Sequence, residues 1–129
     1  MKTAIISIKP EFVDKIFNRK KWWELRKQKI NADHFIVYST APVKMVVGHF
    51  FCDEVIKDTP NGLWFWLRGF GIKHRDFDAY FKGKDFGYAH NIVHPELFPK
   101  PLPITHYGLK RPPQSFCYLK EESSESEEQ

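Results

Sequence analysis

Strand-forming residues crowd into residues 3–56, and a single helical stretch interrupts them. TAIISIK (3–9) is β-branched and apolar enough to form a buried strand. Pro10 and Glu11 then suit the first helical positions, because proline's fixed φ and missing N–H are harmless there and a carboxylate favours the positive helix end. The stretch to Asn18 sets Phe12, Val13, Ile16 and Phe17 on one face of an amphipathic helix. After Arg19-Lys20-Lys21, the segment WWELRK alternates as a strand does, with Trp23 and Leu25 on one side and Trp22, Glu24 and Arg26 on the other. One face is expected in the core and the other is expected to display charges beside an indole. HFIVYST (34–40) reads as a third strand ended by Ala41-Pro42, and KMVVGHFFCDEVI (44–56) as one long fourth strand, with Gly48 placed for a bulge or a sharp bend. These short-linked, aromatic strands predict an α+β, mainly β, architecture: a small β-barrel with helices packed outside, rather than a doubly wound parallel sheet.

The second half is less regular. DTPNGLWFWLRGFGI (58–72) opens with turn chemistry, and its Trp64-Phe65-Trp66 cluster fits a short helix or a strand equally well by periodicity. KHRDFDAYFK (73–82) puts Phe77, Tyr80 and Phe81 on one helical face, with Gly83 as the stop. GYAHNIV (87–93) reads as a strand. The four prolines of HPELFPKPLPI forbid a helix and favour an extended edge segment. RPPQSFCYL (111–119) is expected to be extended and to return to the barrel. A chain of 129 residues forms one domain, expected over 1–120, followed by an acidic, Ser-rich tail over 121–129 with the composition of disorder.

Charge separates these two parts. The net charge is +4, but EESSESEEQ holds five Glu and no base, so residues 1–120 carry 20 Lys and Arg against 11 Asp and Glu, a net +9. A body this basic points to a polyanion partner, nucleic acid first. Cys52 and Cys117 lie in apolar runs without metal-ligand spacing and read as buried free thiols. The N-terminal apolar run is short and is broken by Lys9 and Pro10, so neither a secretory signal nor a membrane span is expected, and the protein is expected to be cytoplasmic.

The sequence holds no GxxxxGK[ST] loop, GxSxG elbow, HExxH or CxxC pair. His90 and His94 are four apart, which suits a metal only on a helix, and Pro95 argues against one there. No metal or other cofactor is expected. The informative constellation is Lys21-Trp22-Trp23-Glu24-Leu25-Arg26 together with Tyr38-Ser39-Thr40 at the end of the third strand. Bases can contact a phosphate, an aromatic ring can stack on a nucleobase, and Glu24 can accept hydrogen bonds from an exocyclic amine. Equally, Glu24 and Arg26 can simply pair with each other on a strand face.

The runs SIKPEFVDKIFNRKKWWELRK and FIVYSTAPVKMVVGHFFCDEVI resemble the ASCH (activating signal cointegrator homology) family of the PUA-like superfamily. Its pattern GxKxxExR is matched by Lys21, Glu24 and Arg26, while Arg19 stands where glycine is usual. The similarity continues through VVGHF, IKHRDFDAYFKG and PPQSFCYL. The resemblance implies a PUA-like β-barrel with a cleft holding the matched residues, and RNA, single-stranded nucleic acid or a modified nucleotide as partner.

Some members of that family are enzymes. An acetylcytidine amidohydrolase relative uses a lysine, a threonine nucleophile and a glutamate. Lys21 matches its lysine, but Glu24 stands at the threonine's position, so Thr40 or Ser39 would have to replace it within reach of Lys21. Other members resemble ribonucleases, for which Lys21 and Glu24 are the catalytic candidates. The resemblance thus implies a nucleic-acid-binding module contacting its ligand through Lys21, Trp22, Glu24, Arg26, Tyr38, Ser39 and Thr40. A hydrolase acting on RNA or a modified nucleoside is the alternative, and a protein-interaction module presenting Trp64-Phe65-Trp66 is a third.

Overall fold

The computed structural model describes residues 1–120; the acidic tail expected to be disordered lies outside them. Its elements are β1 (Thr3–Ile8), α1 (Pro10–Phe17), β2 (Trp23–Arg26), β3 (His34–Ser39), β4 (Met45–Phe51), β5 (Val55–Asp58), α2 (Pro60–Trp66), α3 (His74–Phe81), β6 (Gly87–Asn91), β7 (Val93–Leu102), a 3-10 turn (Ile104–Tyr107) and β8 (Phe116–Tyr118). The strands form two sheets, a five-stranded one in the order β7-β4-β3-β1-β8 and a three-stranded one in the order β2-β6-β5. The mainly β character with helices outside is as expected, whereas the strand ladders do not close into a barrel.

β1 is buried along nearly its whole length because both faces of the larger sheet are covered. Ala4, Ile6 and Ile8 pack with Val13 and Ile16 of α1 and with Phe35, Val37 and Phe50. On the other face Ile5, Ile36, Tyr38 and Val46 are covered by the C-terminal segment, including Phe98, Leu102 and Leu119. The smaller sheet has its own cluster, in which Leu25 and Ala89 meet Leu63 of α2, Phe70, and Phe77 and Phe81 of α3. β1 and β3 are parallel neighbours, so the chain between them crosses over through α1 and β2.

The segment expected as one strand over 44–56 is two strands in different sheets. The break is a built corner: Asp53 and Glu54 N–H both donate to Asn91 Oδ1, at 2.9 and 3.0 Å, and Asn91 N–H donates to the Glu54 carbonyl at 3.0 Å. Beside the bulge in β4, Gly48 is needed for close approach, since a Cβ there would lie 2.6 Å from the Glu96 carbonyl oxygen and 2.7 Å from the Phe17 ring. The 58–72 ambiguity resolves as helix α2, started by Pro60 and capped by Thr59, whose Oγ1 accepts from Gly62 N–H at 3.1 Å. β7 is an edge strand, as its prolines implied, and β8, in the segment expected to be extended, forms the other edge of the larger sheet. Cys52 is a buried and Cys117 a half-buried free thiol. Among the described residues no helix is long and apolar enough to cross a membrane.

Candidate functional site

The turn from α1 into β2 delivers the polar residues. Lys20 and Lys21 N–H both donate to the Lys15 carbonyl, at 2.8 and 2.9 Å. Arg19 takes φ 67°, the left-handed backbone that favours glycine. A glycine would take this backbone without strain, and this chain holds it with an arginine.

Lys21 is only 5% exposed, and its Nζ donates to the Phe70 carbonyl at 2.8 Å. Burial, with Arg26 and Lys15 nearby, pushes its ammonium pKa down from the ordinary lysine value, and Glu24 only partly offsets this. Glu24 is also buried. Its Oε2 accepts from Arg26 Nε at 2.9 Å and lies 2.8 Å from Arg26 Nη2, while Oε1 is 3.8 Å from Lys21 Nζ. Arg26 further donates from Nη1 to Ser115 Oγ at 2.9 Å and from Nη2 to the Ser7 carbonyl at 3.4 Å, joining β2 to β1 and the closing segment. Beneath Glu24, Ile30 N–H donates to His90 Nε2 at 2.9 Å, which leaves Nδ1 to donate to the Glu24 carbonyl at 3.1 Å. His90 is fully buried, and desolvation lowers its pKa, which favours this neutral tautomer.

Lys21, Glu24 and Arg26 line a hollow of about 540 Å³ together with Ser7, Lys9, Glu11, Phe12, Asp76 and Tyr80. Its walls carry three bases, Lys9, Lys21 and Arg26, against three acids, Glu11, Glu24 and Asp76. A nominally balanced wall of this kind suits a neutral heterocycle with both donors and acceptors better than a bare anion. Tyr80, whose hydroxyl donates to the Leu25 carbonyl at 3.4 Å, gives the hollow an aromatic rim.

Glu24 was expected beside Trp22 on an exposed strand face; instead Glu24 is buried and Trp22 is 54% exposed. The second face of β2 is not open to water, because Arg26 ties it to Ser7 and Ser115, and His90, the partner of Glu24 across the strands, lies against Phe35. The 69–73 loop is held alongside by the Lys21–Phe70 hydrogen bond and one from Lys15 Nζ to the Gly71 carbonyl at 2.8 Å. Trp22 lies against the outside of that loop. Its N–H donates to the Gly69 carbonyl at 2.6 Å, its Nε1 donates to the Arg19 carbonyl at 2.8 Å, and its ring leaves no room for a Cβ on Gly69.

The third-strand residues do not reach the hollow either. Tyr38 is packed among Ile5, Ile36 and Val46, Ser39 is 2% exposed, and Thr40 ends the strand, where its N–H donates to the Ile8 carbonyl. Neither Ser39 nor Thr40 is therefore placed to replace the missing threonine beside Lys21. His90 and His94 sit on successive strands, not on one helix. Sequence reasoning missed Ser7, Lys9, Glu11, Asp76 and Tyr80 as wall residues. Their one signal is position, at the strand-to-helix junction and on the helix that follows the 69–73 loop.

No family model matches the chain. Among curated proteins, an ASCH domain-containing ribonuclease of Zymomonas mobilis is 28% identical over 134 residues, covering 96% of this chain and 88% of the relative. Large ribosomal subunit protein uL22 of Ureaplasma parvum is 32% identical over 88 residues, or 66% of this chain, and the match spans only 28% of that protein's length. Crystal structures of ASCH from Zymomonas mobilis superpose on nearly the whole fold. One gives a TM-score of 0.84 at 26% identity over 96% of this chain and 92% of that one. A mutant form gives 0.85 at 25% identity over 98% and 96%. In both sequence and mainly β fold, the chain is thus similar to ASCH-domain proteins along nearly its whole length.

Proposed function

We propose that this ASCH-like domain binds single-stranded RNA and seats one nucleotide of it in the Lys21–Glu24–Arg26 hollow. The convergence of buried Lys21 and Glu24 with half-buried Arg26 on one opening carries the reading. The volume, about 540 Å³, falls in the usual range for small-ligand sites. Glu24 would accept from an exocyclic amine or ring N–H, Tyr80 would offer its ring to the base, and Arg26 and Lys21 would face the sugar and its phosphate. The ribonuclease relative supports RNA as the partner.

The same relative and the state of Lys21 favour a second reading, in which the seated strand is cut. An amine whose charged form is disfavoured by burial can act as a general base. Lys21 would take the proton of a ribose 2′-hydroxyl as the 2′-oxygen bonds to phosphorus. Arg26 would stabilise charge gathering on the non-bridging oxygens, and the bond to the 5′-oxygen would break as that oxygen takes a proton from solvent.

Fluorescence anisotropy with a labelled single-stranded RNA, run at several salt concentrations on wild type and Lys21→Met, tests the binding. The expected result is saturable, salt-weakened binding that falls about tenfold or more in the variant. Binding that does not saturate, or an unaffected variant, overturns the proposal. A denaturing gel of the same mixtures reads cleavage. Fragments formed by wild type and absent with Lys21→Met support cutting, and intact RNA leaves binding alone.

A further inference from the structure

The hollow's balanced charge leaves the basic character of residues 1–120 to act elsewhere, and the outer side of the 69–73 loop is one place where it concentrates. There a groove of about 650 Å³ is lined by Trp64, Phe65, Phe70, Lys15, Arg68 and Lys73, and none of its lining residues is acidic. Ile72 lines both this groove and the hollow, so the two openings lie on either side of one loop. Lys21 and Lys15 hold that loop through the Phe70 and Gly71 carbonyls, at 2.8 Å each.

The aromatic side chains at this site are of two kinds. Trp64 is anchored, stacking on His74 at 4.4 Å and on Phe70 at 5.6 Å. Phe65 and Trp66 are 67% and 73% exposed and meet edge to face at 4.8 Å. Large aromatic side chains this open to water have little folding role and are costly to leave exposed. Phe65 thus sets a flat π-face in a basic groove, with Trp66 packed against it and Trp22, also exposed, seated against the lining residue Gly69.

Resting on the RNA reading of the hollow, we infer that this groove is a second nucleotide-binding subsite. It takes the single strand that continues out of the hollow across the 69–73 loop, with Phe65 and Trp66 stacking on bases and Arg68 and Lys73 contacting phosphates. Aromatic platforms interleaved with bases are how sequence-tolerant single-strand binding works. An acid-free rim makes a polyanion the complementary occupant.

The test compares an oligoadenylate RNA of about eight nucleotides with an adenylate dinucleotide. Both are titrated against wild type, Phe65→Ala/Trp66→Ala and Arg68→Ala/Lys73→Ala. The aromatic pair variant is expected to weaken the longer RNA about tenfold or more. The basic pair variant is expected to flatten its log-affinity versus log-salt slope by about 1.4, at ~0.7 per lost phosphate contact. Dinucleotide affinity and the thermal midpoint should hold, since all four side chains are exposed.

Unchanged binding of the longer RNA by both variants, with dinucleotide binding intact, overturns the subsite and leaves the hollow standing. Equal weakening of both ligands places the effect in the hollow or the fold and also overturns it. Failure of wild type to bind either RNA removes the hollow reading and this one with it. Self-association of wild type that disappears in Phe65→Ala/Trp66→Ala while RNA affinity is unchanged assigns the patch to a second copy of the chain instead.

Discussion

Replacing Arg26 by methionine isolates the energetic centre of the hollow. Glu24 and Arg26 have side chains only 9% and 13% exposed, and the carboxylate's Oε2 takes both close guanidinium contacts, at 2.9 and 2.8 Å. Methionine keeps much of the packing volume but leaves Glu24 facing only Lys21 Nζ at 3.8 Å. Removing one partner of a buried ion pair costs about 3–5 kcal/mol, whereas an exposed pair is worth about 0–1. The lost hydrogen bond from Arg26 to Ser115 adds to this by loosening the closing segment.

For a domain with roughly 5–15 kcal/mol in total, a loss of that size moves a urea midpoint visibly. Urea unfolding of wild type, Arg26→Met, Glu24→Gln and the double variant closes a cycle. The coupling between the two positions should come to about 2–3 kcal/mol, because the double variant no longer buries an orphaned carboxylate. A loss below about 1 kcal/mol in Arg26→Met, or no coupling, would show that water reaches the pair freely and would refute a desolvated site.

Gly48→Ala should destabilise by about 1–3 kcal/mol in the same assay, because its Cβ meets the Glu96 carbonyl and the Phe17 ring with no space to yield. Arg19→Gly should stay within about 1 kcal/mol of wild type, since it relieves the left-handed strain of φ 67° while adding glycine's unfolded-state entropy; Arg19→Val should lose more. His90 and His34 both have pKa values lowered by burial, with His49 adding to the effect on His34. The unfolded chain therefore binds more protons below about pH 6.5, and stability should fall as pH drops from there, less steeply in His90→Gln; a flat profile from pH 7.5 to 5 contradicts this. Lys21 works at the other end of the scale. Its lowered pKa means that wild-type stability, relative to Lys21→Met, should rise as pH climbs toward 10.5, and a constant difference would show an ordinary, solvated ammonium.

Much of the fold was legible because local patterns agreed with tertiary demands. The apolar run of β1 leading directly into Pro10-Glu11 fixed a strand-to-helix junction, and Gly83, at φ 79°, ends α3 where a helix stop was expected. The corner at Asp53-Glu54 was not legible, since no glycine or proline marks it and the side chain that makes it is Asn91, a distant residue in the sequence. Lys21, Glu24 and Arg26 could be singled out from their order and spacing. Their burial could not, because strict alternation assumes one watered face, and residues distant in the sequence close that face, Ser7 and Ser115 on Arg26 and the Phe70 carbonyl on Lys21. For the same reason Trp22 and Tyr38 were placed with the wrong neighbours. Alternation gives a side but not what lies on it. Tyr80 was grouped with Phe77 and Phe81 by helical spacing, which cannot separate the rim of an opening from the core behind it.

The most direct test of the central claim is an NMR titration of the isotope-labelled protein with a short single-stranded RNA. The account predicts saturable shifts concentrated at the amides of Ile8, Glu24, Leu25, Arg26, Ile72 and Tyr80, around the hollow. Shifts confined to the opposite side of the large sheet, around Phe98 and Leu102, or no saturable shifts at all, would contradict it.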